Sequence, residues 1–213
     1  MIAYTEVFDI TVLVGVESVD YPGDPPYRRR TIGSLADGGV ADVSFLEISA
    51  HHGTHIDTPA HFIPGGANLD AYRAEDFILP ARVIDVGDAP LIEPEALAGA
   101  GVRPGEGVLF KTRNSASGRA VSGRFYDDGV ALSPAAAAAC VEAGVRLVGL
   151  DYFSVDPTGR GGFPVHHALL ASGVLVLETL NLRDVPAGGY TLICLPLKLD
   201  GCEASPVRAV LLR

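Results

Sequence analysis

This chain of 213 residues has no tryptophan, one methionine and only three cysteines, Cys140, Cys194 and Cys202. The cysteines have neither metal-motif nor redox-motif spacing, and an odd number without a disulfide framework is typical of the reducing cytoplasm. No apolar run approaches the roughly 20 residues that a membrane-spanning helix needs. The N-terminal stretch lacks a basic start and is interrupted by Glu6 and Asp9, so we expect no signal peptide. We therefore expect a cytoplasmic protein.

Positive charge is also scarce. The 16 Lys and Arg residues face 26 Asp and Glu residues, which gives a formal net charge of −10. Nucleic acids and anionic membranes repel such a chain, so we expect neither as a partner. The length and an apolar fraction of 48% are ordinary for a globular protein with a substantial core, and we expect one domain over residues 1–213.

The densest group of chemically active side chains lies in residues 51–61, which read His-His-Gly-Thr-His-Ile-Asp-Thr-Pro-Ala-His. His51 and His55 are four residues apart and could share one face of a helix. Gly53, the β-branched residues and above all Pro59 disfavour that helix. We therefore expect a strand or an extended loop here.

In an extended backbone, alternate side chains point the same way. His51, His55 and Asp57 then share one face, and Gly53 leaves the space between the two imidazoles open. His61 joins that face if the chain stays extended past the proline. The pattern thus predicts a metal site whose ligands come from one strand or extended loop.

Imidazole and carboxylate groups together suit Zn²⁺, Mn²⁺ or Fe²⁺, and no thiolate lies nearby to indicate a zinc ribbon. The predicted ligands from this segment are His51, His55 and Asp57. His52 points the opposite way in an extended chain, so we expect it to support the ligands from behind or to face solvent.

The rest of the chain alternates apolar strands with short helices. Strands are predicted at residues 8–16, 43–48, 82–86, 107–112, 146–150, 174–178, 190–195 and 207–212. Helices are predicted at residues 69–77, 94–100, 133–142 and 166–170. This order predicts an α/β fold with a mixed sheet or barrel-like core and a few flanking helices. The irregular residues 113–130 are typical of a functional loop or lid.

The predicted strand 174–178 ends in a carboxylate, Glu178. Burying a carboxylate without a partner would cost several kcal/mol. A metal ion is one such partner, and a salt bridge to Arg183 is the alternative.

The motif His-x-Gly-Thr-His-x-Asp-x-Pro-x-His resembles that of the metal-dependent cyclase/hydrolase family, which includes bacterial kynurenine formamidase and isatin hydrolase. Further stretches match the same family and extend the resemblance over nearly the whole chain. They are residues 21–24, 150–151, 154–157, 166–181 and 205–211.

The resemblance implies the swivelling β/β/α fold and a homodimer. It assigns metal ligation to His166 and Glu178, with His167 as the alternative histidine. With these, the ligands exceed what one tetrahedral metal requires. A site for one or two Zn²⁺ ions, or Mn²⁺, is therefore feasible, with Asp57 and Glu178 able to bridge.

The resemblance also places an aromatic residue beside the substrate, at Tyr21, where the formamidases tend to carry tryptophan. We expect Tyr21, Tyr152 and Phe153 to line a pocket for a small planar or aromatic amide, although each could equally belong to the core.

The predicted reaction is metal-assisted hydrolysis of an amide, formamide or lactam, with His61 as the acid/base that moves the proton. Two alternatives stay open. One is a cyclase or lactone hydrolase of the same family, and the other is a non-catalytic binding module stabilised by metal. A closed structural metal site would not need the additional histidine at position 61.

Overall fold

The computed structural model describes residues 4–159 and 161–213. These residues form eleven strands: β1 Val7–Asp9, β2 Arg28–Gly33, β3 Val43–Glu47, β4 His55–Asp57, β5 Ile78–Asp85, β6 Gly107–Lys111, β7 Leu147–Leu150, β8 Leu175–Glu178, β9 Gly188–Ile193, β10 Ala204–Pro206 and β11 Val210–Leu212. They also form three α-helices: α1 Arg113–Ala116, α2 Pro134–Glu142 and α3 Pro164–Ala171. Within these ranges, no helix combines the length and apolarity that crossing a membrane demands.

Nine strands join in one strongly curled sheet, in the order β1-β11-β9-β5-β6-β7-β8-β4-β10. The central strands β5, β6, β7 and β8 run parallel, and the strands on either side pair antiparallel. Strands β2 and β3 form a separate two-stranded sheet. The mixed α/β fold with a barrel-like core that the sequence predicts is therefore confirmed.

The sheet separates two hydrophobic clusters, and side-chain alternation assigns each strand residue to one of them. On β6, Leu109 packs in the cluster inside the curl, whereas Val108 and Phe110 pack beneath the helices. The second cluster also contains Cys140 of α2 and Leu169 of α3. Packing on both faces explains why the central strands are almost wholly apolar.

The predicted central strands and helix α2 are confirmed with small changes at their ends. Helix α2 begins where expected, because the Ser133 hydroxyl accepts a hydrogen bond of 3.1 Å from Ala136 N–H. Helix α3 begins two residues earlier than predicted, at Pro164. Strand β5 begins at Ile78 rather than at residue 82, because it pairs with β9 from Ile78 to Val83.

Several predicted boundaries are wrong. The predicted helix over 69–77 is two separate 3-10 turns, Leu69–Ala71 and Ala74–Phe77, and the predicted helix over 94–100 is one 3-10 turn, Pro94–Leu97. The predicted strand 8–16 ends at Asp9. Beyond it the backbone turns, because the Leu13 carbonyl accepts N–H bonds from residues 16, 17 and 18.

The segment 113–130 contains α1 and a 3-10 turn and is fixed to the sheet by side chains from the end of β7. The buried carboxylate of Asp151 accepts bonds from Thr112 N–H and Ser115 N–H at 2.8 and 3.0 Å. The Tyr152 hydroxyl accepts from Tyr126 N–H at 2.9 Å and donates to its carbonyl at 2.8 Å. These contacts position the segment beside the strand ends that carry the site.

Candidate metal centre

The register between β4 and β8 creates the centre of the site. His55 pairs with Glu178 across the two antiparallel strands, and Asp57 follows two residues along β4 on the same face. All three side chains are buried. Cross-strand neighbours lie about 5 Å apart, so the sheet itself brings an imidazole and two carboxylates together.

The predicted strand does not extend back to His51. Residues 50–53 form a turn, and Gly53 has a positive φ of 68°. A Cβ at Gly53 would lie 3.3 Å from Val14, so the glycine serves the backbone conformation rather than the space between imidazoles. The turn nevertheless delivers the His51 ring, whose Nδ1 lies 3.0 Å from Asp57 Oδ1.

The chain also does not stay extended after Asp57. Residues Pro59–His61 form a 3-10 turn, as a proline at its first position favours. This turn returns the half-buried His61 ring to the site, with its centroid 4.1 Å from that of His51. The prediction of an extended chain here is wrong, yet His61 still faces the same cluster.

Helix α3 contributes His166, while the alternative His167 is exposed outside the cluster. His166 Nε2 lies 3.2 Å from Glu178 Oε1 and 3.7 Å from Asp57 Oδ2. Glu178 Oε1 also accepts a hydrogen bond of 2.6 Å from Val155 N–H. The salt bridge from Glu178 to Arg183 is absent within residues 4–159 and 161–213.

The outward-facing nitrogens of the buried histidines are fixed by hydrogen bonds. His55 Nδ1 donates to the Gly53 carbonyl at 2.8 Å, and His166 Nδ1 donates to Asp156 Oδ2 at 2.7 Å. Each imidazole therefore directs its unprotonated Nε2 inward when neutral. Such outer partners are typical of metal-binding histidines.

His51 is also fixed by a contact to one ring nitrogen, but here Nε2 makes the outer contact and Nδ1 points inward. Its Nε2 lies 3.0 Å from Glu203 Oε1, so its Nδ1 faces Asp57. Glu203 directly precedes β10, and the pairing of Ala204 with Asp57 places its side chain beside this histidine.

The Asp57 carboxylate supplies the test of whether a metal fits. Both of its oxygens are buried and make no hydrogen bond with the described part of the chain, although imidazole nitrogens from three histidines lie within 3.0–3.7 Å. Two donor sets share Asp57: one with His51 and His61, the other with His55 and Glu178, and within each set the donor atoms lie within 4.8 Å of one another. Nitrogen and carboxylate donors in this arrangement fit one or two divalent cations.

Charge in the cluster is balanced between histidines and carboxylates. Burial alone would raise the pKa of Asp57, but the positive charges of His55 and its neighbours hold that pKa well below its usual value. Burial opposes protonation of His55, yet Asp57 and Glu178 raise its pKa to about 9. Because a ligating imidazole must be deprotonated, metal binding displaces this proton and is weaker at lower pH.

His52 is buried and lies behind the cluster, so the solvent-facing alternative is wrong. Its Nε2 is 2.7 Å from Ser18 Oγ, and its Nδ1 is 3.0 Å from Asp20 Oδ1. The ring stacks on Tyr27 at 5.5 Å. His52 therefore joins the segment before β2 to the turn that carries His51.

A pocket of about 180 Å³ opens over the cluster. Aromatic side chains and members of the histidine–carboxylate cluster line it, with other polar and apolar residues: Val19, Tyr21, Asp24, His51, His55, His61, Phe62, Phe153, Ser154, Phe163, His166, Glu178 and Thr179. The Tyr21 and Phe153 rings lie 5.8 Å apart, edge to face, and Phe125 stacks behind Phe153 at 4.5 Å.

The structure thus brings Tyr21 and Phe153 to the pocket but not Tyr152. Tyr152 is buried, with both hydrogen bonds of its hydroxyl made to the backbone of Tyr126. Phe62 and Phe163 were not identified from the sequence. Phe62 directly follows His61, which is the one sequence signal that could have indicated it.

We expect Asp156→Asn to weaken metal binding about 10- to 100-fold, because Asp156 fixes the orientation and tautomer of His166. Chelator competition with the purified protein measures this affinity. Asp200→Asn, at an exposed position, is the matched control and should bind metal like the wild type. Equal affinities for the two variants would show that Asp156 serves only the start of helix α3, where it accepts hydrogen bonds from Val165 N–H and His166 N–H.

A buried histidine–carboxylate cluster at the floor of a pocket, on a curled α/β sheet, defines the class of metal-dependent hydrolases. Comparison with known proteins supports the same class. Residues 8–157 match the family model described as "Putative cyclase". A kynurenine formamidase of Salinibacter ruber is 40% identical over 207 residues, which cover 96% of each chain.

Two solved structures share the fold over almost the whole chain. A predicted metal-dependent hydrolase from Bacillus stearothermophilus has a TM-score of 0.82 at 30% identity, with 97% of each chain covered. Isatin hydrolase A from Labrenzia aggregata, bound to benzyl benzoate, has a TM-score of 0.80 at 26% identity, covering 97% of this chain and 93% of its own. The chain belongs to the cyclase family of metal-dependent hydrolases, as the motif at residues 51–61 predicted.

Proposed function

We propose that this protein hydrolyses the carbon–nitrogen bond of a small planar amide, with aryl formamides as the main substrate class and lactams as the second. One observation carries the proposal. The buried carboxylate of Asp57, without hydrogen bonds from the described residues, is surrounded by imidazoles whose inward nitrogens can bind metal once they are deprotonated. The kynurenine formamidase and isatin hydrolase relatives support the choice of an amide or lactam.

We assign metal ligation to His51, His55, Asp57, His166 and Glu178. The donors suit Zn²⁺, with Mn²⁺ as the alternative, and the two donor sets that share Asp57 support a pair of ions. When bound, the metal supplies a Lewis acid and lowers the pKa of water in the site to about 7.

His61 is suited to proton transfer. Burial lowers the pKa of His61 to about 4, so its imidazole is neutral near pH 7. In the proposed reaction, His61 takes the proton of the attacking water and returns it to the leaving nitrogen as the C–N bond breaks. The potential ligand atoms of His61, His51 and Asp57 also lie within 4.8 Å of one another, so the alternative role of His61 is metal ligation.

A substrate panel tests the reaction class. The metal-loaded protein should hydrolyse aryl formamides or isatin and release the amine or the opened acid. Hydrolysis of small lactones alone would favour the lactonase alternative, and cyclised products would favour the cyclase alternative. Metal binding without turnover of any member would favour the binding module.

The pocket aromatics should determine affinity for planar substrates. We expect Phe153→Ala to raise KM for an aryl formamide about 2- to 10-fold, because aromatic contacts contribute about 0.5–1.5 kcal/mol. Tyr152→Phe should leave KM unchanged and lower the free energy of unfolding by about 1 kcal/mol, since it removes hydroxyl hydrogen bonds outside the pocket. Steady-state kinetics and denaturant unfolding separate the two. An unchanged KM for Phe153→Ala would show that the Phe153 ring packs in the core and does not contact the substrate.

We further propose a homodimer in which each 213-residue chain acts as one domain in the reducing cytoplasm. The two-stranded sheet β2–β3 is exposed at every residue except Gly33 and carries Phe45 and Leu46 at its surface, which favours a covering partner. The free thiols of the three cysteines suit a reducing compartment. Sedimentation should give twice the chain mass at micromolar concentration, and a monomer would contradict the dimer.

A further inference from the structure

Backbone strain in the described residues is concentrated in the wall of the pocket. Nineteen of these residues have a positive φ, and seventeen of them are glycines. The two exceptions, Phe163 at 45° and Thr179 at 57°, both line the pocket over the metal cluster. A bulky or β-branched residue in this region is an outlier, and such outliers tend to occur at functional sites.

The backbone hydrogen bonds explain why Thr179 has a positive φ, but they do not explain why a threonine rather than a glycine occupies this position. Its N–H donates to the Tyr152 carbonyl at 2.7 Å, and its own carbonyl accepts from the Thr54 hydroxyl at 2.6 Å. These two bonds hold the turn that ends β8 directly after Glu178. Glycine would satisfy the same turn without strain, as it does at the other positive-φ positions.

The strained backbone at Thr179 is therefore kept for the sake of its side chain. Both backbone polar groups of Thr179 are occupied, and within residues 4–159 and 161–213 no hydrogen bond uses its hydroxyl. Thr179 lines the pocket together with Glu178, His55 and Ser154. A hydroxyl in this position can donate to the oxygen of a bound amide.

The side chain of Phe163 supplies the apolar counterpart. Its backbone, with φ 45° and ψ 54°, begins helix α3 three residues before His166. Its ring lies 5.1 Å from that of Phe62 and 6.1 Å from the imidazole of His166. The left-handed conformation thus directs an aromatic face to the pocket at the point where a metal-binding helix starts.

We propose that Thr179 and Phe163 are substrate-contacting residues: Thr179 donates a hydrogen bond to the carbonyl oxygen of the amide, and Phe163 packs against its planar group. This inference rests on the proposed amide hydrolase function. It adds that the fold keeps two strained residues for recognition where unstrained glycine would be more stable.

Substitutions at Thr179 separate recognition from structure. Thr179→Val preserves the side-chain shape and removes the hydroxyl, and it should lower kcat/KM for formanilide about 10-fold, while Thr179→Ser should restore most of that loss. Thr179→Gly should lower kcat/KM similarly yet raise the Tm by about 2–4 °C, because it relieves the strain. All three variants should keep the wild-type metal content.

The matched control is Ser117→Gly, at an exposed position where φ is −80°. It relieves no strain, so it should not raise the Tm and should leave kcat/KM unchanged. Phe163→Leu should weaken binding of the planar substrate about 2- to 10-fold without loss of metal. Wild-type kcat/KM in Thr179→Val, or a Tm of Thr179→Gly below the wild-type value, would overturn the inference.

Binding measurements keep the inference distinct from the proposed function. If the metal-loaded wild type does not hydrolyse formanilide, the proposed function fails for that substrate class. Calorimetric Kd values for acetanilide with the wild type and Thr179→Val then decide the inference alone. A Kd about 10-fold higher in the variant supports substrate contact. An equal Kd in both, or no binding to the wild type, overturns it.

Discussion

Replacing His61 by alanine is expected to lower kcat by about 10²- to 10⁴-fold while the fold and the bound metal are retained. This is the contribution that a positioned acid–base group typically makes. The imidazole lies in the pocket, 4.1 Å from the ring of His51, and burial lowers its pKa to about 4. It is therefore neutral at the pH where the reaction needs a proton acceptor. Turnover of an aryl formamide and elemental analysis of the same preparation measure the two quantities.

His167→Ala is the matched control for this variant, because His167 is exposed and lies outside the cluster. It should keep both metal and kcat. Loss of metal in His61→Ala would assign His61 to the donor set of His51 and Asp57 instead. Retention of both metal and full kcat would show that another group moves the proton.

The second large effect is expected at Asp57, where Asp57→Asn should remove nearly all bound metal and with it the metal-dependent activity. Asp57 belongs to both donor sets, and its two oxygens have no hydrogen bonds that would compete with a metal. An amide offers one neutral oxygen in place of two that share a negative charge, so neither ion would be held well. Metal content after dialysis reports the loss directly.

Asp88→Asn provides the control for Asp57→Asn, because it makes the same chemical change at an exposed residue. It should bind metal like the wild type. Circular dichroism of both variants tests whether the fold persists. A folded Asp57→Asn protein that still holds its full complement of metal would show that Asp57 is not a ligand and that the cluster has been misinterpreted.

The sequence predicted which residues lie together in the cluster better than it predicted the backbone that carries them. His55 and Asp57 do lie on one face of a strand, as alternation requires. His51 and His61 reach the same cluster through a glycine turn and a proline-initiated 3-10 turn. Spacing along the chain could identify the histidines, because four histidines and an aspartate within eleven residues are uncommon. Several backbone conformations can nevertheless bring such residues together.

The partners that fix the histidines could not be found from the sequence. Glu203 lies 152 positions from His51, and only the pairing of β10 with β4 brings them together. Asp156 lies ten positions before His166 and contacts it because a helix begins between them. The strain at Thr179 depends on where β8 leaves the sheet. The contact of Glu203 follows from strand register, and the other two features follow from where a helix begins and where a strand ends.

The most direct test of a metal-dependent amide hydrolase is the hydrolysis of formanilide by protein stripped of metal and then titrated with Zn²⁺ or Mn²⁺. The stripped protein should be inactive, and activity should rise with added ion and saturate at one or two equivalents per chain. Activity in the stripped protein that added metal does not change would contradict the account. So would a folded protein that binds neither ion.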